Sequence, residues 1–145
     1  MNDAQKRDES KTSVIRLSMP ARLEEAYLVV IEGPDRDPDC RPGQLHPLGT
    51  HTSLGRMRTN RIVLDDPRAS REHCAIELRR DGYHLVDAGS INGTQVSGKS
   101  VRDIQLNRED IITIGEYRFM FWQGEARDPA LCKRLESLGI DMLEA

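Results

Sequence analysis

The sequence predicts an all-β domain built as a two-sheet β-sandwich, with a flexible N-terminal tail before it and a short helix after it. Three observations carry that prediction. From Ala26 onward, short apolar segments follow one another with turn residues between them. Tight-turn dipeptides separate several of these segments. Residues within the segments also alternate: Ala75 and Glu77 oppose Cys74, Ile76 and Leu78, and Phe119 and Phe121 oppose Met120 and Trp122. A sandwich buries one such face per sheet.

Taken in order, residues 1–25 are polar and mixed in charge, too poor in apolar groups to offset the entropy of ordering, and are expected to be a flexible tail. Strand candidates then follow in AYLVVIEGP (26–34), QLHPLG (44–49), IVL (62–64), CAIEL (74–78) and YHLVD (83–87). Asp81-Gly82 between the last two suits a type I′ turn. Ser97-Gly98 in TQVSGKSV suggests a further tight turn. Gly115-Glu116, between IITI (111–114) and YRFMFW (117–122), suits type II′. Beyond residue 123 the period changes. Asp128 reads as a helix N-cap with Pro129 at the first helical position, Leu131, Leu135 and Leu138 form a stripe, and Gly139 is the stop. The expected units are therefore a tail over 1–25, a sandwich over 26–123 and a helical appendage over 124–145, docked on the sandwich.

The 145 residues suit one compact domain. A formal net charge of −3 argues against a surface built to coat nucleic acid, which needs a basic face to release counterions. Cys40, Cys74 and Cys132 are odd in number and far apart, as in a reduced, cytoplasmic protein. The longest clean apolar run, AYLVVI at 26–31, is too short for a membrane span. His46, His51, His73 and His84 show no metal-ligand spacing with the cysteines, so neither a metal nor a cofactor is expected.

Three short pieces stand out against this background: LGR at 54–56, SREH at 70–73 and NGT at 92–94. The loops at one end of a β-sandwich converge, so residues from separate loops can line one site. The order Gly-Arg, then Ser-x-x-His leading into a strand, then Asn-Gly-Thr after a strand ending in Asp, resembles the forkhead-associated (FHA) domain, over about residues 26–122. The resemblance implies an FHA/SMAD-like sandwich that reads phosphothreonine peptides as a small stand-alone module. It places Arg56 and Ser70 on the phosphate and Asn92 on the peptide main chain, and it assigns Gly55, His73, Gly93 and Thr94 to shaping the loops.

The chemistry of the residues agrees. A phosphothreonine carries about −1.5 to −2 charges and three strong acceptor oxygens. The arginine fork donates two parallel hydrogen bonds to such a group and stays charged. The Ser70 hydroxyl can donate a third, and the Asn92 amide can both donate to and accept from an extended peptide. Arg68, two residues before Ser70, would lie on the same side in an extended loop and favour an acidic ligand residue. Arg58, Arg61 and Arg71 would widen the cationic field. One departure from the family pattern is Ile91, where a hydroxyl residue often precedes the asparagine; Ser90 is the expected substitute.

Catalysis is not expected. Ser70 and His73 are three apart at a strand entrance, with no acid placed to orient the imidazole and no nucleophile elbow. The function expected is a non-catalytic adaptor that recruits threonine-phosphorylated proteins and connects them to a Ser/Thr kinase. Two alternatives remain. A phosphorylated tail residue, Thr12, could occupy the chain's own site, or the domain could scaffold without phosphate.

Overall fold

A computed structural model describes residues 25–141. The expected tail, with Thr12, lies outside the described residues. The strands are β1 (Ala26–Glu32), β2 (Leu45–Pro47), β3 (His51–Gly55), β4 (Ile62–Val63), β5 (Cys74–Arg79), β6 (Gly82–Asp87), β7 (Thr94–Val96), β8 (Lys99–Val101), β9 (Asp103–Gln105), β10 (Ile111–Ile114) and β11 (Tyr117–Gln123), followed by helix α1 (Pro129–Ser137). They form the two expected sheets. One has the order β2-β1-β11-β10-β7-β8 and the other β9-β6-β5-β3-β4. Only β3 and β4 pair in parallel among the described strands.

The interior between the sheets is filled by Leu28, Val30, Phe119 and Phe121 from the first sheet and by Leu54, Ile76 and Leu85 from the second. β11 departs from the one-dry-face expectation, because Met120 and Trp122 are buried as well as Phe119 and Phe121. The reason is α1. Leu131 and Leu135 lie against Val29, Ile31, Met120 and Trp122, forming a second core on the outer face of that sheet. The helix ends are built as the sequence suggests. The Asp128 carboxylate accepts the Ala130 N–H, and at the other end the N–H groups of Gly139 and Ile140 donate to Glu136 and Leu135 carbonyls, a Schellman motif with Gly139 at φ +74°. Leu138, at 39% exposure, falls outside the buried stripe, and Ile140 packs in its place.

Two of the expected turns form where expected. Ser97 and Gly98 both have positive φ, as type I′ requires. Gly115 does so alone in the two-residue loop between Ile114 and Tyr117, as in type II′. The third turn is displaced. Arg79 pairs with Gly82, so the loop is Arg80-Asp81, neither with positive φ, and Gly82 opens β6 at φ +131°. A type I′ turn on Asp81-Gly82 is therefore not what forms. Strands β3 and β9 were not anticipated. Each carries a single large apolar residue, Leu54 or Ile104, and β3 buries the polar Thr52 beside it. No helix among the described residues is long and apolar enough to cross a membrane.

Candidate functional site

Three connections meet at one end of the sandwich: residues 56–61 after β3, 64–73 between β4 and β5, and 88–93 between β6 and β7. Main-chain pairing continues past the end of β3, with Arg56 N–H donating to Ser70 O (2.9 Å) and Met57 N–H to Arg71 O (3.1 Å). This close passage explains Gly55. A Cβ there would run into the Arg71 carbonyl and the Asn60 amide. The exposed Arg56 side chain is aimed by one bond, from Nε to Ala69 O (3.0 Å). No carboxylate among the described residues lies within ion-pair distance of its guanidinium, so the outer edge of the fork is available to an anion.

Ser70 is half-buried, and its Oγ accepts the Ile91 N–H (3.1 Å), which leaves the hydroxyl proton to donate outward. His73 is the brace expected. It is 1% exposed; its Nδ1 accepts the Ser70 main-chain N–H (2.9 Å), and its Nε2–H donates to Gly93 O (2.8 Å). An N–H can only donate, so the ring is held as the Nε2–H tautomer with both nitrogens used. The imidazole therefore faces the Ser70 main chain and is not placed as a base for the Ser70 hydroxyl. Gly93 takes φ +82° to turn its carbonyl toward the histidine.

Asn92 is exposed and gives one amide N–H to Arg68 O (2.8 Å), which leaves its Oδ1 and second N–H open. A groove of about 600 Å³ runs beside it from Asp87 past Ile91 to Arg102. Arg56, Ser70 and Asn92 are thus brought together by direct bonds between their loops.

Other expectations are corrected. Arg68 is not a free cation. Its Nη2 lies 3.1 Å from Asp66 Oδ2 and 3.3 Å from Glu116 Oε2, and its carbonyl accepts the Asn92 amide. Arg71 is exposed and forms no ion pair among the described residues. The Thr94 hydroxyl donates to Asp87 Oδ1 (2.7 Å). Ser90 does not stand in for the missing hydroxyl at Ile91, because it too donates to Asp87 Oδ1 (2.6 Å). Asp87 also accepts the N–H groups of Gly89 and Ser90. Burial alone would raise its pKa, but these four bonds outweigh burial and hold the carboxyl below its ordinary range. Ile91, at 91% exposure, stands at the rim.

Two positioning residues escaped sequence reasoning. Asn60, 8% exposed, donates Nδ2 to Met57 O (2.8 Å) and Arg71 O (2.7 Å) and so closes the first loop. Asp66, 1% exposed, accepts the N–H groups of Arg68 (2.9 Å) and Glu116 (2.8 Å), tying the site to the β10–β11 turn. The asparagine gave no signal. An Asp-Pro pair such as 66–67 is a turn signal, but nothing local in the sequence shows that its carboxylate is buried.

Residues 52–115 match the FHA domain. The glycogen accumulation regulator GarA of Mycobacterium tuberculosis (strain ATCC 25618 / H37Rv) is 38% identical over 73 residues, 50% of this chain and 45% of that protein. The oxoglutarate dehydrogenase inhibitor of Corynebacterium jeikeium (strain K411) is likewise 38% identical over 73 residues, 50% of this chain and 51% of that protein. The chain spans about half the length of these curated relatives. The structure of Mycobacterium tuberculosis EmbR in complex with a low affinity phosphopeptide superposes with a TM-score of 0.57 at 33% identity, covering 68% of this chain and 24% of that one. With the two sheets in place and Gly-Arg, Ser-x-x-His and Asn-Gly-Thr gathered at one end of them, this chain carries a forkhead-associated (FHA) domain.

Proposed function

We propose that the chain binds threonine-phosphorylated segments of other proteins, as a non-catalytic, cytoplasmic adaptor that places them under the control of a Ser/Thr kinase. One observation carries the reading: the Arg56 fork, the Ser70 hydroxyl proton and the free half of the Asn92 amide converge from three loops with nothing among the described residues occupying them. Arg56 and Ser70 hold the phosphate, Arg71 adds charge at its rim, and Asn92 holds the peptide main chain. Gly55, His73, Gly93 and Thr94 keep the loops in place. Residues 26–123 form the binding unit and α1 braces it. Support comes from the phosphopeptide bound to EmbR and from relatives named as a regulator and an inhibitor.

Charge-assisted hydrogen bonds are worth about 1.5–3 kcal/mol each, so two or three of them, less the cost of ordering a flexible peptide, give roughly micromolar affinity. The test is titration with phosphothreonine peptides and their unphosphorylated counterparts. Micromolar binding of the first alone, lost at least tenfold in Arg56→Ala, is the expected result. Equal binding of both forms overturns the proposal, and an Arg56→Ala variant that keeps its partner points to phosphate-independent scaffolding.

A second reading has an observation of its own. β1 pairs Ala26 with Gln123 and Glu32 with Arg118, so residue 26 starts at the end of the strand away from the β10–β11 turn that adjoins Asp66. Six residues of strand separate the two ends by about 20 Å, and the 14 residues from Thr12 to Ala26 reach up to about 50 Å. Phosphorylated Thr12 could therefore reach its own site and exclude other ligands. Amide shifts of Arg56 and Ser70 that stay put after Thr12 is phosphorylated would dispose of it.

A further inference from the structure

The two flanks of the site differ in how their cations are used. On the side of the β10–β11 turn, charge is balanced. Glu116 lies between Arg36 (3.7 Å) and Arg68 (3.3 Å), Arg36 also meets Asp65 (3.2 Å), and Arg68 meets Asp66 (3.1 Å). On the side of the β3–β4 loop it is not. Residues 40–64 contain no Asp or Glu, although the chain carries 24 acidic residues. Arg58 and Arg61 are exposed, and neither they nor Arg71 forms an ion pair among the described residues. Glu72 is the acidic residue nearest Arg71 in sequence and is exposed and unpaired too, which leaves three arginines against one carboxylate.

This flank is also built rigidly. Asn60 clamps Met57 O and Arg71 O with one amide nitrogen, its own N–H closes the turn onto Met57 O (3.1 Å), and the Arg61 N–H is fixed on Ser53 Oγ (3.0 Å). The loop therefore presents Arg58, two residues after Arg56, and Arg61, beside Ser53 of β3, from a fixed backbone at a small further cost in entropy on binding. Unpaired cations on a fixed loop, in a chain of net negative charge, mark a place for anions.

Resting on the phosphothreonine reading, we infer that the β3–β4 loop is a second anion contact: Arg58, Arg61 and Arg71 select phosphopeptides that carry a further anionic group, carboxylate or phosphate, on one side of the phosphothreonine. The balanced flank leaves acidic residues on the other side without reward. Exposed ion pairs are individually weak, so three of them amount to roughly a three- to tenfold gain in affinity at low ionic strength.

Fluorescence anisotropy with the full chain tests this on four phosphothreonine peptides: alanine flanks, a Glu run before the phosphothreonine, a Glu run after it, and a second phosphothreonine in place of the favoured run. One Glu run should tighten binding severalfold over the alanine peptide. That ratio should fall toward one in about 0.5 M NaCl and in Arg58→Ser/Arg61→Ser. A gain from the second phosphothreonine alone identifies phosphate as the source. No gain from any run or phosphate, or a gain that persists in the double variant, overturns this inference while leaving the parent reading intact. An alanine-flanked phosphopeptide that binds no better than its unphosphorylated form overturns both.

Discussion

Asp66 shows how much of the site depends on one buried carboxylate. It fixes the Arg68 N–H and guanidinium, and the next two carbonyls along the chain, of Arg68 and Ala69, aim Asn92 and Arg56. Burial alone would raise its pKa, but hydrogen bonds from Arg68 and the Glu116 N–H hold it down at about 2, below the ordinary 3.8. The sign follows: a group depressed in the folded state contributes stability that is complete above pH 4 and is lost as pH falls toward 2. Asp66→Asn turns a donor toward donors, so it should cost about 1–3 kcal/mol at pH 7. It should also flatten the loss of stability between pH 4 and 2 and weaken phosphopeptide binding. Denaturant titrations at pH 7 and pH 3 check this, and a variant with the wild-type acid slope would assign that slope elsewhere.

At the scale of elements, α1 separates stability from recognition. Leu131 and Leu135 fill the outer core over Met120 and Trp122, on the sheet face turned away from the other sheet, whose loops supply Arg56 and Ser70. Leu131→Ala should therefore cost about 2–5 kcal/mol through the cavity it leaves, while phosphopeptide affinity measured below the melting transition changes by less than about twofold, since no hydrogen bond or ion pair among the described residues links α1 to the site loops. A loss of affinity as large as that of Arg56→Ala would contradict this division. The helix was legible because its signals are local: Asp128-Pro129 starts it, and Gly139 ends it with the positive φ a glycine allows. The three site motifs were legible in the same way. What escaped was fixed by partners distant in sequence. His51–Gly55 reads as polar, and becomes a strand because it pairs alongside β5, with Thr52 and Leu54 buried opposite Ile76 and Cys74. Arg68 reads as a free cation, and is not, because Asp66 and Glu116 reach it from an adjoining turn and a remote hairpin. The both-sided burial of β11 needed α1, twelve residues after Tyr117 begins the strand.

Across the whole molecule, the ionisable groups whose pKa values shift on folding define a pH window. On the acid side, Asp81, Asp87 and Asp103 join Asp66 in being held below their ordinary range: hydrogen bonds from His84 act on Asp81 and from Arg79 on Asp103, and the loop donors around Asp87 overcome its burial. On the alkaline side, burial pushes the Cys40 thiol up to about 12, helped by Asp37 and Asp39, and burial pushes Cys74 to about 12 as well. Tyr117 is raised too, by burial and by the hydrogen bond its hydroxyl donates to Asp37. Here the sign reverses. An unfolded thiol ionises near 9 while the folded one stays protonated, so the unfolded state gains as pH rises from 9 toward 12. These groups should therefore make stability fall below about pH 4 and above about pH 9, for separate reasons. The carboxylates of the acid limb include two that organise the site loops, whereas the alkaline limb belongs to the interior. In Cys40→Ala/Cys74→Ala the alkaline limb should become shallower and the acid limb stay as it was, read from denaturant midpoints between pH 3 and 11. An alkaline limb equally steep in the double variant would move that sensitivity to Tyr117, where Tyr117→Phe would then remove it.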